Sequence, residues 1–536
     1  MSYKNVINRI TSRFKGKSSE SVPLLGQIQN QAGGYYFAID DWAQLDRFLI
    51  LGTETGSYYV NAIQLTKANS QIVQKLVKTH GLKVVARIVE ISVNNRAPKN
   101  DSALFALALA ASCDDQTTRQ AALANLHRVA RTGAHLLQFA CYINHMRGWG
   151  RALRNAIASW FIDMPLEQLA LQAIKYNQRE GWSLRDLLRL SHPKCIDDPA
   201  RADLFKWIVK SKNPEAIATA RKLRLIEGKY QAEEAASAED IANIVRKYSL
   251  PREALPTEAL NSKEVWNALL VDMPMNAMIR NLAKMTKIGL LKPFDPASDY
   301  VSQRLLDREQ LIKAKISPFQ LLLALRTYVK GQGALGSLTW MPVPSIVAAL
   351  DSAFDASFAT VEPTNQRILV GIDVSGSMRI NTCTGSPVLN SVEAAAAVAS
   401  FVVRTEKNVH TMAFDTEARE FPITPKQRLD DIIAGVNQWG GGTDLSIPVA
   451  YALKNQLNVD AFIIITDNEC WAGSQHNVQA LRDYRSKINP KTKLIVMATS
   501  ANAGVICDPK DPFSLGIVGF DAAASKIAMQ FIGNQE

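Results

Sequence analysis

Four short apolar runs, RILVGI (367–372), VHTMAF (409–414), AFIIIT (461–466) and KLIVMA (493–498), restrict the fold of this chain more than any other feature. Each is rich in β-branched residues and apolar along its length, the pattern of a strand covered on both faces. Helical segments separate them: SVEAAAAVASFVVRT, KQRLDDIIAGVNQ, IPVAYALKNQL and NVQALRDYRSKI. Strands that alternate with helices and are buried on both faces predict a doubly wound α/β domain with a parallel sheet over residues 361–536.

Ligands of such sheets bind beyond the carboxyl ends of the strands. The first run climbs directly into Asp373, followed by Ser375 and Ser377 in DVSGSM. The third run ends directly before Asp467, and GGGTDLS (440–446) places Thr443 behind three glycines. Asp373, Ser375, Ser377, Thr443 and Asp467 thus gather at one sheet edge, and every candidate donor is oxygen. Hard oxygen donors of low total charge suit Mg²⁺, and less exclusively Mn²⁺ or Ca²⁺, with coordination positions left open for a partner's carboxylate or phosphate. A DxSxS triple alone also arises on turns and helix caps; the strand before it and the second strand-end aspartate give it weight. Catalysis is not expected. No G-x-S-x-G surrounds the serines, and His410 and His476 sit in no defining motif. Two carboxylates with hydroxyls also lack the acidic cluster of a two-metal nuclease.

The first two-thirds reads differently. SALFALALAASC (102–113), QTTRQAALANLHRVA (116–130), TGAHLLQFACYINHM (132–146) and RALRNAIASWFID (151–163) repeat apolar residues at three- and four-residue spacing between short polar turns. The pattern continues to SPFQLLLALRTYVKG, and predicts a HEAT-like array of helices over 1–360. Residues 1–34 read as a polar arm or loop, and VEPTNQ (361–366) as a hinge.

Charge follows the same division. Residues 1–360 hold 46 Lys and Arg against 32 Asp and Glu, and residues 361–536 hold 15 against 18. A basic surface attracts polyanions, nucleic acid above all. The densest cationic stretch is ALQAIKYNQREGWSLRDLLRLSHPK (170–194). Lys175 and Arg179 at four-residue spacing predict one helix face. Arg185 and Arg189 predict a second, on a helix capped by Ser183. His192 and Lys194 follow. These six residues can hold phosphates, while Tyr176, Trp182 and His192 can stack on unpaired bases. The plain alternative is a solvated helix face with Tyr176 and Trp182 in the core. The polar islands elsewhere, among them ETGSYYV (54–60) and the turns around Lys99 and Arg280, read mostly as structural.

Six cysteines, none within four residues of another, form neither a zinc signature nor a disulfide framework. The N-terminal stretch lacks the apolar core of a secretory leader, and no apolar stretch reaches 18 residues. The expectation is a soluble cytoplasmic protein with reduced thiols and no membrane partner.

With Asp373, Ser375, Ser377, Thr443 and Asp467 all in place, residues 365–536 resemble a von Willebrand factor A domain with a metal-ion-dependent adhesion site. The helical islands, the basic cluster and the ATVEPTNQ linker ahead of that domain resemble the TROVE module. The whole chain is similar to the Ro autoantigen family, the Ro ribonucleoproteins, and the residue choices in the islands are closer to bacterial members than to animal ones. The resemblance implies a monomeric ring of helical repeats closed by the A domain. It implies a noncatalytic protein that binds small noncoding Y RNA on a basic outer surface. Single-stranded 3′ ends of misfolded noncoding RNAs would enter the central hole, in the service of RNA quality control and stress survival. It further implies an exoribonuclease partner such as polynucleotide phosphorylase. Lys175, Arg179, Arg185, Arg189, His192 and Lys194 would then belong to the RNA-binding surface. The competing expectation is an intracellular scaffold whose A domain captures an acidic protein ligand through its divalent metal.

Overall fold

The structure is a computed structural model. It describes residues 23–533 apart from 30–32, 39, 53–61, 98, 177, 180, 196, 315, 317, 334–336, 358–362, 381–389, 468–469, 500–503, 509 and 519–521. The start of the N-terminal arm, the ETGSYYV island and the first half of the hinge lie outside the described residues.

Helices run in succession from Asp41–Leu51 to Pro344–Ala356. Many of the helices in this module are short for a local reason. The polar joints carry side chains that cap the next helix, as Asp115 does for Thr118 N–H, Thr132 for His135 N–H, Asn213 for Ala216 N–H and Ser237 for Asp240 N–H. The long helix Ala62–Val93 is broken at His80, whose backbone is non-helical.

The sheet begins at Arg367. Its spatial order is Ser514–Val518, Lys493–Ala498, Ala461–Thr466, Arg367–Asp373, Asn408–Phe414 and Ala418–Glu420. The first five strands are parallel and the last is antiparallel to its neighbour. Val370 lies opposite both Ile463 and Thr411, so Arg367–Asp373 is central. The chain leaves this strand to one side and returns on the other, which puts the topological switch beside Asp373. All four expected strands are present. Ser514–Val518 and Ala418–Glu420 were not anticipated: both are short edge strands, one interrupted by Gly516.

Three apolar cores organise the molecule. One joins Leu45 to Ile226 in the first half of the helices and takes in Ala498 at the end of a sheet strand. A second starts at Ala232 and continues through the remaining helices onto one face of the sheet, taking in Ile368, Val370 and Met529. Helix Ser391–Thr405 lies inside it, buried on every side from Ser391 to Val403. The third fills the other sheet face, with Leu369, Phe414, Phe462 and Tyr484, and includes Phe37. The strand Tyr35–Ala38, which carries Phe37, pairs with Gln27–Gln29 on one side and with Gly504–Val505 on the other, antiparallel to both. The expected arm is therefore partly strand, built into the C-terminal half. Among the described residues, no helix is long and apolar enough to cross a membrane.

Candidate metal centre and nucleic-acid interface

Asp373 is the last residue of the central strand and is fully buried. Ile372 pairs with Ile465, so Asp373 stands beside Thr466, and Asp467 follows it at the same edge. Thr466 Oγ1 donates to Asp373 Oδ2 at 2.5 Å, and Ser375 N–H donates to Asp373 Oδ1 at 2.9 Å. Ser375 Oγ and Ser377 Oγ are 3.3 Å apart on the turn into the short helix Gly376–Ile380. Thr443 and Asp467 are buried as well. The structure thus places all five expected residues at the carboxyl edge beside the switch point.

The glycine loop is held there by close approach. Gly441 C=O accepts Gly376 N–H at 2.9 Å, and a Cβ on Gly441 would stand 3.1 Å from Asp415 Oδ2. A Cβ on Gly442 would lie 2.6 Å from the Trp471 ring. Thr443 C=O then accepts Trp471 N–H at 3.3 Å and Ala472 N–H at 3.0 Å.

Burial is the largest influence on Asp373 and pushes its carboxyl up to about 6; the Thr466 and Ser375 hydrogen bonds pull it down, and Asp415 adds a further push upward. A buried carboxyl held among hydroxyls, with a second carboxyl one strand away, is a donor set that a small hard cation fits. Among the described residues no three His, Cys, Asp or Glu side chains group as metal ligands; the five expected residues offer two carboxylates and three hydroxyls.

Asp415 was missed in the sequence. It follows VHTMAF directly, as Asp467 follows AFIIIT, and the strand-end rule applied a third time finds it. It is buried, ion-paired to Arg419 at 3.0 Å, and its C=O accepts Asp444 N–H at 3.0 Å, which ties the glycine loop to the neighbouring strand.

The basic stretch needs one correction. Lys175 and Arg179 do not share a helix face, because the helix Leu166–Lys175 stops at Lys175. Tyr176 leaves helical geometry, and Arg179 sits in a two-stranded ribbon with Trp182 opposite it and Gly181 turning in the left-handed region. Arg185 and Arg189 do share a face, on the helix Leu184–Ser191, which Ser183 and Asp186 cap reciprocally. Arg179, Arg185, Arg189, His192 and Lys194 are exposed and Lys175 is half-buried. Arg179 Nε donates to Gln138 Oε1 at 3.2 Å. Of the three rings, Trp182 is half-buried against Trp149 with centroids 5.3 Å apart, Tyr176 is half-buried against Gly133, and His192 is exposed.

Two cavities extend this surface in a way the sequence did not show. One, of about 360 Å³, is lined by Lys175, Tyr176, Arg252, Asn276 and Arg280. The other, of about 310 Å³, is lined by Lys99, Asn276, Arg280, Tyr328 and Trp340. Arg280 and Asn276 belong to both. Residues 99, 175 and 280, far apart in the chain, therefore lie along one strip of polar and aromatic groups. Spacing within any one helix carries no trace of that strip.

A basic helical module fused to a parallel sheet with hydroxyls and carboxylates at its switch point defines a two-module protein with a von Willebrand factor A-type domain. Residues 367–532 match the family model described as the Ro60 vWA domain, and residues 28–366 match the TROVE domain. The chain belongs to the Ro family of TROVE and von Willebrand A proteins. It is 38% identical to the RNA-binding protein RO60 of Deinococcus radiodurans, over 94% of this chain and 95% of that one. It is 35% identical to the RNA-binding protein RO60 of Caenorhabditis elegans, over 95% and 90%. Its structure is similar to the crystal structure of the Deinococcus radiodurans RO (RSR) protein, with a TM-score of 0.69, 37% identity, and coverage of 92% of this chain and 99% of that one.

Proposed function

We propose that this chain is a noncatalytic RNA-binding Ro protein. The observation that carries the reading is its likeness, over nearly the full length of both chains, to proteins named for RNA binding. The exposed Arg179, Arg185, Arg189, His192 and Lys194, with Lys175 beside them, supply the cationic surface such a protein needs. In this reading that outer surface holds structured RNA of the Y class, and single-stranded 3′ ends of misfolded noncoding RNAs run along the strip of Lys99, Lys175 and Arg280 in the hole of a monomeric ring. Quality control follows from demanding a free end and an adjacent duplex together. An exoribonuclease held by the same RNA, such as polynucleotide phosphorylase, is the partner that would degrade what the ring selects. The compartment this reading assigns is the cytoplasm.

Asp373, Ser375, Ser377, Thr443 and Asp467 hold a divalent cation, Mg²⁺ by the hardness and low charge of the donors. That cation supplies an open coordination position for an acidic group on a protein partner. Trp471, 46% exposed beside Gly442, borders the position and favours a protein contact there.

The test is a binding assay with a structured RNA carrying a single-stranded 3′ tail, in Mg²⁺. The expected result is retention of intact RNA, and Arg185→Glu with Arg189→Glu weakens it. Asp373→Ala removes metal binding, read by titration calorimetry, and spares RNA affinity. Cleavage of the RNA refutes the noncatalytic reading, and undiminished affinity of the double variant refutes the assigned surface.

A further inference from the structure

The segment Cys470–Gly473 is a plate with two occupied faces. On one face it holds the glycine loop: Trp471 and Ala472 N–H both donate to Thr443 C=O, and the Trp471 ring covers Gly442. Gly473, with φ of +113°, lies so close to Asp444 that a Cβ there would stand 2.5 Å from its carboxyl carbon. On the other face lies the N-terminal strand pair. A Cβ on Gly34 would stand 2.0 Å from Cys470 O and 3.1 Å from Trp471 Cα, so the backbone of Gly34 rests directly on this peptide. Cys470 Sγ donates to Tyr35 C=O at 3.6 Å, and Gln27 Oε1 lies 3.1 Å from His476 Nε2. Phe37 is buried in one core with Leu445 and Cys470.

We infer that the strands Gln27–Gln29 and Tyr35–Ala38 position the loop of Thr443, so that cation binding at Asp373 and docking of the N-terminal strands are coupled. The inference rests on the metal-site reading given above. Gly34 is the positioning residue: it acts through its close approach to Cys470–Trp471. Mg²⁺ accepts oxygen donors only near 2.0–2.1 Å, so a displacement of the plate by a few tenths of an ångström moves Thr443 out of range. Coupling of two binding events is reciprocal: a cation that needs the plate in place also holds the strands against it. The strand pair is followed in the chain by the helix Asp41–Leu51 of the helical module.

The test uses the full-length protein and Mg²⁺ alone. Titration calorimetry of Gly34→Val is expected to show Mg²⁺ affinity lowered about tenfold or more, the usual cost of disturbing groups that orient metal ligands. Hydrogen exchange of the parent protein is expected to slow at the amides of Tyr35–Ala38 when saturating Mg²⁺ is added, and to stay unchanged in Asp373→Ala. That readout needs no substitution at Gly34, and a role confined to completing the core would not produce it. Parental affinity in Gly34→Val while Asp373→Ala has lost Mg²⁺ overturns the coupling alone, and so does unchanged exchange in the Mg²⁺-saturated parent. Retention of Mg²⁺ by Asp373→Ala overturns the metal-site reading and the coupling with it.

Discussion

At the scale of single residues, what the sequence reveals depends on whether the signal is contiguous. Asp373, Ser375 and Ser377 stand behind an uninterrupted apolar run, and Asp467 behind another, so strand ends and oxygen donors are readable together. Their convergence on Thr443 is tertiary, and only the glycines before it hint at the close approaches that Asp415 and Trp471 make. His135 was not legible at all. It sits in the first turn of Gly133–Met146, its Nδ1 buried without a hydrogen-bond partner among the described residues. Burial, and then the charges of Arg131 and Arg179, lower its pKa from 6.5 to about 4. The folded state thus refuses a proton that the unfolded chain accepts. The stability this represents is complete above pH 6.5 and is lost as the pH falls through the window from 6.5 to 4. Denaturant unfolding across that window is expected to show a shallower decline in His135→Gln than in the parent, with the two profiles parallel above pH 7.

At the scale of elements, periodicity located the helices and capping set their ends, but it misplaced Arg179 where the backbone changes type. Tyr176 leaves the helix and Gly181 turns the ribbon in a left-handed conformation that a helix cannot contain. The glycine in REGW is the available signal, and the four-residue spacing of Lys175 and Arg179 outweighs it. Helix Ser391–Thr405 shows the opposite case, where local pattern and tertiary role agree. Its alanine-rich sequence lets it be buried on all sides. Its N-terminus is fixed by a reciprocal cap, with Asn390 accepting from Glu393 N–H and Glu393 from Asn390 N–H. Glu393 also accepts from Arg326 at 2.7 Å and from Asn437 at 3.1 Å. One buried carboxylate therefore joins the helix start to Pro318–Lys330 in the helical module. Glu393→Ala removes half of the cap and leaves Arg326, 23% exposed, without this partner. A loss of roughly 2–3 kcal/mol is expected in urea unfolding, from the broken ion pair and the lost cap together. Glu393→Gln, which retains an acceptor, should lose less.

At the scale of the whole molecule, the division of charge is the feature most legible in the sequence and the one that assigns work to the modules. The first 360 residues carry 46 cations against 32 acids, whereas the near-neutral remainder carries the carboxylates and hydroxyls gathered at the sheet edge. What no linear reading supplies is the strip shared by Lys99, Lys175 and Arg280, because helices distant in sequence build it. Its cavities, each of a few hundred cubic ångströms, have room for a nucleotide and none for a duplex. Arg185 and Arg189 stand in the open, where a duplex can reach them. The two groups should therefore fail differently. Arg280→Glu is expected to reduce affinity for RNA with a single-stranded 3′ tail towards that of its blunt-ended counterpart and to leave the blunt RNA unaffected. Arg185→Glu with Arg189→Glu is expected to weaken both RNAs alike. Salt separates the contacts further. Each phosphate contact to a single strand contributes about −0.7 to the slope of log affinity against log salt, and each contact to a duplex somewhat more. Arg280→Glu should then flatten the slope for tailed RNA by about 0.7 while the slope for blunt RNA stays at the parental value. Equal losses on both RNAs would place Arg280 on the same outer surface as Arg185 and remove the distinction between an inner, single-strand path and an outer, structured one.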